Sequence, residues 1–228
     1  MPCIGILNDI IEQACTIACD WVWFCILING QEQTVSLGKQ AKPLSKGQIE
    51  AVLGYLAKTR HPIRNRLIFL LSIKAGLRAR EIAFITWRMV TDAQGEIGQA
   101  VVLQDHASKG RSGRIIPLNE ELRRALVDWR QVIAPTPDGR VVRTERLDQT
   151  SPQVIVNMFA RWYEHIGFNG CSSHSGRRTF ITNAARKISL VGGSLRDVQM
   201  LAGHSSLRVT QRYIDGEEDA QRKIVELV

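Results

Sequence analysis

The sequence predicts an α+β chain, mainly helical, with one small antiparallel sheet. Two observations carry that prediction. Ser45, Asn119, Ser151 and Ser194 stand where helices begin, and Gly76, Gly167 and Gly203 stand where helical runs end. Those are the residue types that cap a helix at its first turn and stop it in the left-handed conformation at its last. Between these runs lie two β-branched and aliphatic stretches, residues 101–103 and 114–118, separated by a polar, glycine-containing loop. That is the pattern of a hairpin.

In chain order, Ser45 and Gln48 form a capping box before a helix that ends near Lys58. The RHPIRN linker leads to a helix over residues 64–75, with Gly76 as its stop. Leu77, Ile82 and Ile85 then give the apolar face of another short helix, with Arg78 at the junction. The two strands follow and place Lys109 at their turn. Asn119 caps a helix through Val132, and Glu120 and Glu121 complement the positive end of its dipole. APTPDGR is a loop, and Ser151-Pro152 opens a helix running to Gly167 with Val154, Met158 and Trp162 near one face. A further charged helix is expected over residues 217–227.

The stretch from His174 to Tyr213 holds the chemistry. On a helix opening after Ser173, His174 and Arg177 stand one turn apart on one face, near an N-terminus that itself favours anions. Gly203 stops the helix that Ser194 starts, leaving His204 at a bend before a short helix that carries Tyr213. Two histidines, arginines and a tyrosine are residue types that grip or attack a phosphate. Arg178 is read as structural or as a second phosphate contact, His106 and His165 as bystanders, and Tyr55 and Tyr163 as core aromatics.

His174-x-x-Arg177, Gly203-His204 and Tyr213, together with AGLRARE around Arg78 and the lysine of SKGRSGRIIPL, resemble the catalytic end of the tyrosine recombinases, the phage integrase family. Residues 41–216 carry the resemblance, and Gly176 departs from it, standing where the family commonly has an apolar residue. In a helix that glycine is expected to cost about 1 kcal/mol of stability without touching the chemistry. The resemblance implies a tyrosine-recombinase-like catalytic domain, and DNA cleavage and rejoining through a 3′-phosphotyrosyl link. Site-specific recombination or integration is the implied use, with a tetramer assembled on double-stranded DNA. It implies Tyr213 as nucleophile, Arg78, Arg177, His174 and His204 around the phosphate, Lys109 as the proton donor to the leaving 5′ oxygen, and Glu81 as an acidic support for one of these groups. No cofactor, metal or small-molecule substrate is expected. A type IB topoisomerase shares this chemistry, and a non-catalytic DNA-binding remnant is a third reading.

Composition agrees with a polyanionic partner. The net charge is +8, but residues 1–40 hold one Lys and four acidic residues, leaving 29 basic against 18 acidic in the remainder. Residues 1–40 are expected to be an apolar leader of uncertain role, short of a full core-binding domain, and residues 41–228 the catalytic domain. Within that leader ACTIACDWVWFCILI is too short for a membrane span and contains Asp20. Four of the five cysteines lie in the first 25 residues without the spacing of a disulfide framework or a zinc site, which points to a reducing cytoplasm.

Overall fold

The computed structural model describes residues 41–107, 113–144, 148–213 and 225–226. The expectations for residues 1–40, for Lys109 and for most of the 217–227 helix therefore lie outside the described residues.

The fold is built around one helix. α1 (Lys46–Leu56) opens on the predicted capping box, in which the Ser45 and Gln48 side chains each take the other's backbone N–H. α2 (Pro62–Lys74) starts two residues earlier than expected because Pro62 is preorganised for the first helical position. Asn65 and every residue from Leu67 to Ile73 are buried, so beyond its first turn α2 has no solvent face until Lys74. Neighbours surround it: α1, α3 (Ala79–Phe84), α4 (Glu120–Val132) and α6 (Ser175–Lys187) all pack on it. At roughly 1.5–3 kcal/mol for each large apolar side chain fully buried, Leu67, Ile68, Phe69, Leu70 and Leu71 make α2 the energetic centre of the domain.

The sheet is the expected hairpin. β1 (Ala100–Leu103) and β2 (Arg114–Pro117) run antiparallel with Val101 opposite Ile116 and Val102 opposite Ile115. Val101 and Ile116 face the core and the other pair faces out, as the two-residue period of a strand requires. Asn119 caps α4 through Leu122 N–H, as predicted. Trp129 of α4 donates its indole N–H to the Val141 carbonyl at 2.7 Å and so pins the loop beyond it.

α5 (Pro152–His165) corrects the expected apolar face. Its buried residues are Ile155, Phe159, Trp162 and Tyr163, while Val154 is 37% exposed. The 155, 159, 162 spacing is itself helical, and Phe159 meets Trp162 edge to face and Tyr163 at a tilt, an aromatic cluster that turns this stripe inward. Tyr163 is core, as expected, and Tyr55 stacks on His165 with centroids 4.6 Å apart.

A second, smaller core carries the end of the fold. Ile181 of α6 packs with Val198 and Ala202 of α7 (Leu195–Ala202), and Tyr213 lies against this cluster. Ser194 caps α7 and Gly203 ends it at φ +62°. α8 (Leu207–Gln211) is short and stops before Tyr213, which sits in the turn two residues beyond rather than on the helix as expected. The Arg212 and Tyr213 N–H groups close that turn on Arg208 and Thr210 carbonyls.

Candidate active site

Arg78 is the residue before α3, in extended conformation, and Glu81 is one turn further on. Glu81 is fully buried, an expensive place for a carboxylate unless it is paired. Its Oε1 accepts from Arg78 Nη1 at 2.8 Å and Arg114 Nη1 at 2.9 Å, and its Oε2 accepts from the Arg78 backbone N–H at 2.8 Å and Arg114 Nη2 at 3.0 Å. Burial alone would raise its pKa, but the Arg114 hydrogen bond and charge, then Arg78, outweigh it and hold the carboxyl below its ordinary range. Glu81 thus supports the guanidinium groups of Arg78 and Arg114.

Arg177 enters from α6, whose first turn is pressed against α2. A Cβ on Gly176 would overlap Ser72 Oγ and lie 3.0 Å from Ser72 Cβ, so the glycine permits a close helix contact. Beyond the helix-stability cost expected of it, Gly176 therefore serves a contact between α6 and α2, one residue before Arg177. The Arg177 guanidinium is buried and donates to the Gly76 carbonyl at 2.7 Å and to the Ala202 carbonyl at 2.6 Å. Burial, then the nearby Arg78 charge, lower its pKa to about 10, so it remains charged at neutral pH.

Two imidazoles and the phenol complete the cluster. His174 precedes the first residue of α6, its edge exposed, with its pKa lowered by the protein around it and by the Arg177 and Arg78 charges. His204 follows the left-handed Gly203, and its Nδ1 lies 3.0 Å from the buried Thr210 Oγ1. Burial, then Arg177, Arg78 and Arg114, lower its pKa to about 4. It is therefore neutral at pH 7, with Nε2 as the ring nitrogen not engaged by Thr210. The Tyr213 ring stacks on His204 at 5.5 Å between centroids, and the Arg178 guanidinium lies 6.0 Å from the same ring's centroid. A cationic pocket lined by a phenol and two neutral imidazoles suits a phosphodiester: guanidiniums fit its non-bridging oxygens and the phenol its phosphorus.

Five of the six predicted residues, Arg78, His174, Arg177, His204 and Tyr213, come together, with Glu81 beneath them; Lys109 lies outside the described residues. Arg114 is not among the residues that the sequence pointed to, and no local signal marks it. Its side chain is 5% exposed, and its Nε donates to the Leu201 carbonyl at 2.8 Å. Among the described residues no group of three or more His, Cys, Asp or Glu is placed to hold a metal, and no helix is long and apolar enough to cross a membrane.

The model of the phage integrase family matches residues 42–219. The chain belongs to that family. Among its relatives, the tyrosine recombinase XerA of Thermococcus onnurineus is 27% identical over 187 residues, covering 81% of this chain and 62% of XerA. The tyrosine recombinase XerC of Shewanella amazonensis is 28% identical over 187 residues, 79% of this chain and 60% of XerC. The chain thus spans about three-fifths of the length of these curated relatives. A crystal structure of XerA recombinase superposes with a TM-score of 0.63 at 23% identity, over 81% of this chain and 64% of that one. XerH recombinase bound to a palindromic difH substrate, in a post-cleavage complex, gives 0.65 at 19% identity, over 85% of this chain and 54% of that one. The mainly helical fold with a small antiparallel sheet is that of the tyrosine recombinases.

Proposed function

We propose that residues 41–228 form a catalytic domain that cleaves and rejoins double-stranded DNA through a 3′-phosphotyrosyl intermediate, in the service of site-specific recombination or integration. The observation that carries the reading is the stacking of Tyr213 on His204, in the same chain that supplies Arg78 and Arg177. Tyr213 Oη attacks the phosphorus, the bond to the 5′ oxygen breaks, and the phenolic proton leaves to a base or to solvent. The phosphotyrosyl ester conserves the bond for rejoining, so no nucleotide cofactor is needed. At neutral pH an ordinary phenol of pKa ~10 is about one part in a thousand ionised, so the pocket has to offset roughly 4 kcal/mol. Arg78 and Arg177 neutralise the non-bridging oxygens, His174 and neutral His204 donate hydrogen bonds to them, and Lys109 protonates the departing oxygen.

The tyrosine recombinases to which this chain is similar support DNA as the partner, and the +8 charge agrees. Assembly as a tetramer on DNA and a cytoplasmic location complete the proposal. Incubation with a nicked suicide duplex followed by denaturing electrophoresis tests it directly. A covalent protein–DNA band is expected, and strand exchange between two duplexes would follow; absence of the band under every duplex geometry would sink the reading.

A further inference from the structure

We infer that Arg114 is a positioning residue that closes a ring of contacts around the phosphate pocket, and so sets the placement of Arg78 and Arg177 relative to each other. The inference rests on the phosphotyrosyl-transfer reading of the same site. The ring runs through bonds already described. Arg78 donates to Glu81, Glu81 accepts both Nη groups of Arg114, and Arg114 Nε donates to the Leu201 carbonyl in the last turn of α7. The next carbonyl, that of Ala202, receives Arg177, whose other Nη returns to Gly76, two residues before Arg78. Arg114 spans the gap between α3 and α7.

Its geometry is specific to arginine. A planar fork can hold both carboxylate oxygens while the Nε–H points the other way, and a lysine ammonium cannot do both. Because Arg114 occupies one site on each Glu81 oxygen, Arg78 commits only one guanidinium nitrogen, Nη1, to the carboxylate. Without Arg114, a buried carboxylate facing a single cation would draw Arg78 into a two-pronged pair and away from an incoming phosphate. The end of α7 would lose its tie to β2 at the same time, shifting Ala202, which holds Arg177, and His204 two residues later. Gly203 is fitted to this contact: a Cβ there would lie 2.9 Å from Arg114 Nη1 and 3.0 Å from its Cδ. At the other side of Arg114, the Gly113 N–H donates to Asp105 Oδ1 at 2.8 Å.

The experiment uses the full chain and single-turnover cleavage of a nicked duplex at saturating DNA. Misplaced reacting groups lose on the order of 10² in rate, so R114M is expected to cleave about 10²-fold more slowly while duplex affinity stays within a few-fold. R114K should recover little of the rate, and E81Q/R114M should be no slower than the slower single variant, because the unbalanced carboxylate is gone. A merely structural arginine would instead give R114K near wild type, or effects of the two substitutions that multiply, and either result overturns the inference. If circular dichroism shows R114M unfolded, R114K carries the rate comparison alone, and wild-type-like cleavage by it overturns the inference. Inorganic phosphate titrated against the imidazole resonances of His174 and His204 separates the two readings. If the wild type forms no covalent complex but R114M binds phosphate more weakly than wild type, the positioning role stands and the transferase reading falls. Equal phosphate affinity in both proteins overturns the positioning role.

Discussion

His204 and Tyr213 lie ring over ring, 5.5 Å between centroids and inclined by 21°, across the short helix α8 that lies between them in the chain. The stack fixes where the phenol can point, because the imidazole is itself anchored through Nδ1 to Thr210 and through its backbone to Gln199. Tyr213→Phe retains the ring and the stack and removes only the oxygen. Covalent attachment to DNA should disappear while duplex affinity, measured by fluorescence anisotropy, stays within a few-fold. An adduct that persists would place the nucleophile elsewhere.

Gly176→Ala distinguishes helix propensity from packing. Propensity alone predicts a gain of about 1 kcal/mol for alanine in a helix. The Ser72 contact predicts the opposite sign, since overpacking a tight contact typically costs roughly 1–3 kcal/mol. A lower melting temperature is expected, with slower cleavage as Arg177 is displaced, and S72G/G176A should recover part of both. A melting temperature above wild type would show that α6 and α2 can part without cost.

How much of this was legible before the fold was known depends on the range of each signal. Capping residues act within one turn, so Ser45, Asn119, Ser151 and Ser194 marked their helices correctly, and the β-branched runs marked the hairpin. The buried face of α5 was misassigned because Val154 and Ile155 are equally apolar and only the neighbours decide which turns inward. Arg114 was not legible because its partners, Glu81 and Leu201, lie 33 and 87 residues away, and a buried ion pair at that separation leaves no local pattern. The contact at Gly176 was not legible for the same reason, its partner Ser72 being on another helix.

The histidines predict a pH-dependent stability. Both His174 and His204 have folded pKa values below their ordinary one, His204 at about 4, so between the two values the unfolded chain binds more protons than the folded one. Stability therefore rises with pH across that interval; the contribution is complete above about 6.5 and is lost as pH falls toward 4. Thermal melts between pH 6.5 and about 5.5, above the ordinary carboxylate values at which Glu81 and Asp197 take up protons in the unfolded chain, should show a fall in wild type and a shallower one in His204→Gln. Parallel slopes would mean that His204 is protonated equally in both states.

A basic body that contacts phosphates releases counterions on binding, so duplex affinity should fall steeply and linearly on a logarithmic salt scale. Affinity independent of salt for any one duplex would exclude phosphate-dominated binding.

Lys109 is the proposed donor to the 5′ oxygen, an alkoxide far more basic than the incoming phenolate and unable to depart without a proton. Asp105 and Gly113, hydrogen-bonded at 2.8 Å, frame the segment that contains it, and Arg114 ties the far side of that segment to Glu81. Lys109→Ala should slow cleavage by about 10² to 10⁴, the usual weight of a general acid, with little change in binding. A lysine that only neutralised phosphate charge would produce the same loss, so rate alone cannot separate the two roles. Replacing the bridging 5′ oxygen with sulfur does, because a thiolate leaves without protonation. On that substrate Lys109→Ala should return nearly to the wild-type rate, whereas Arg78→Ala and Arg177→Ala, which act on the non-bridging oxygens, should remain slow. If Lys109→Ala stays equally slow with sulfur in place, the proton must come from another group and Lys109 acts on the phosphate through its charge.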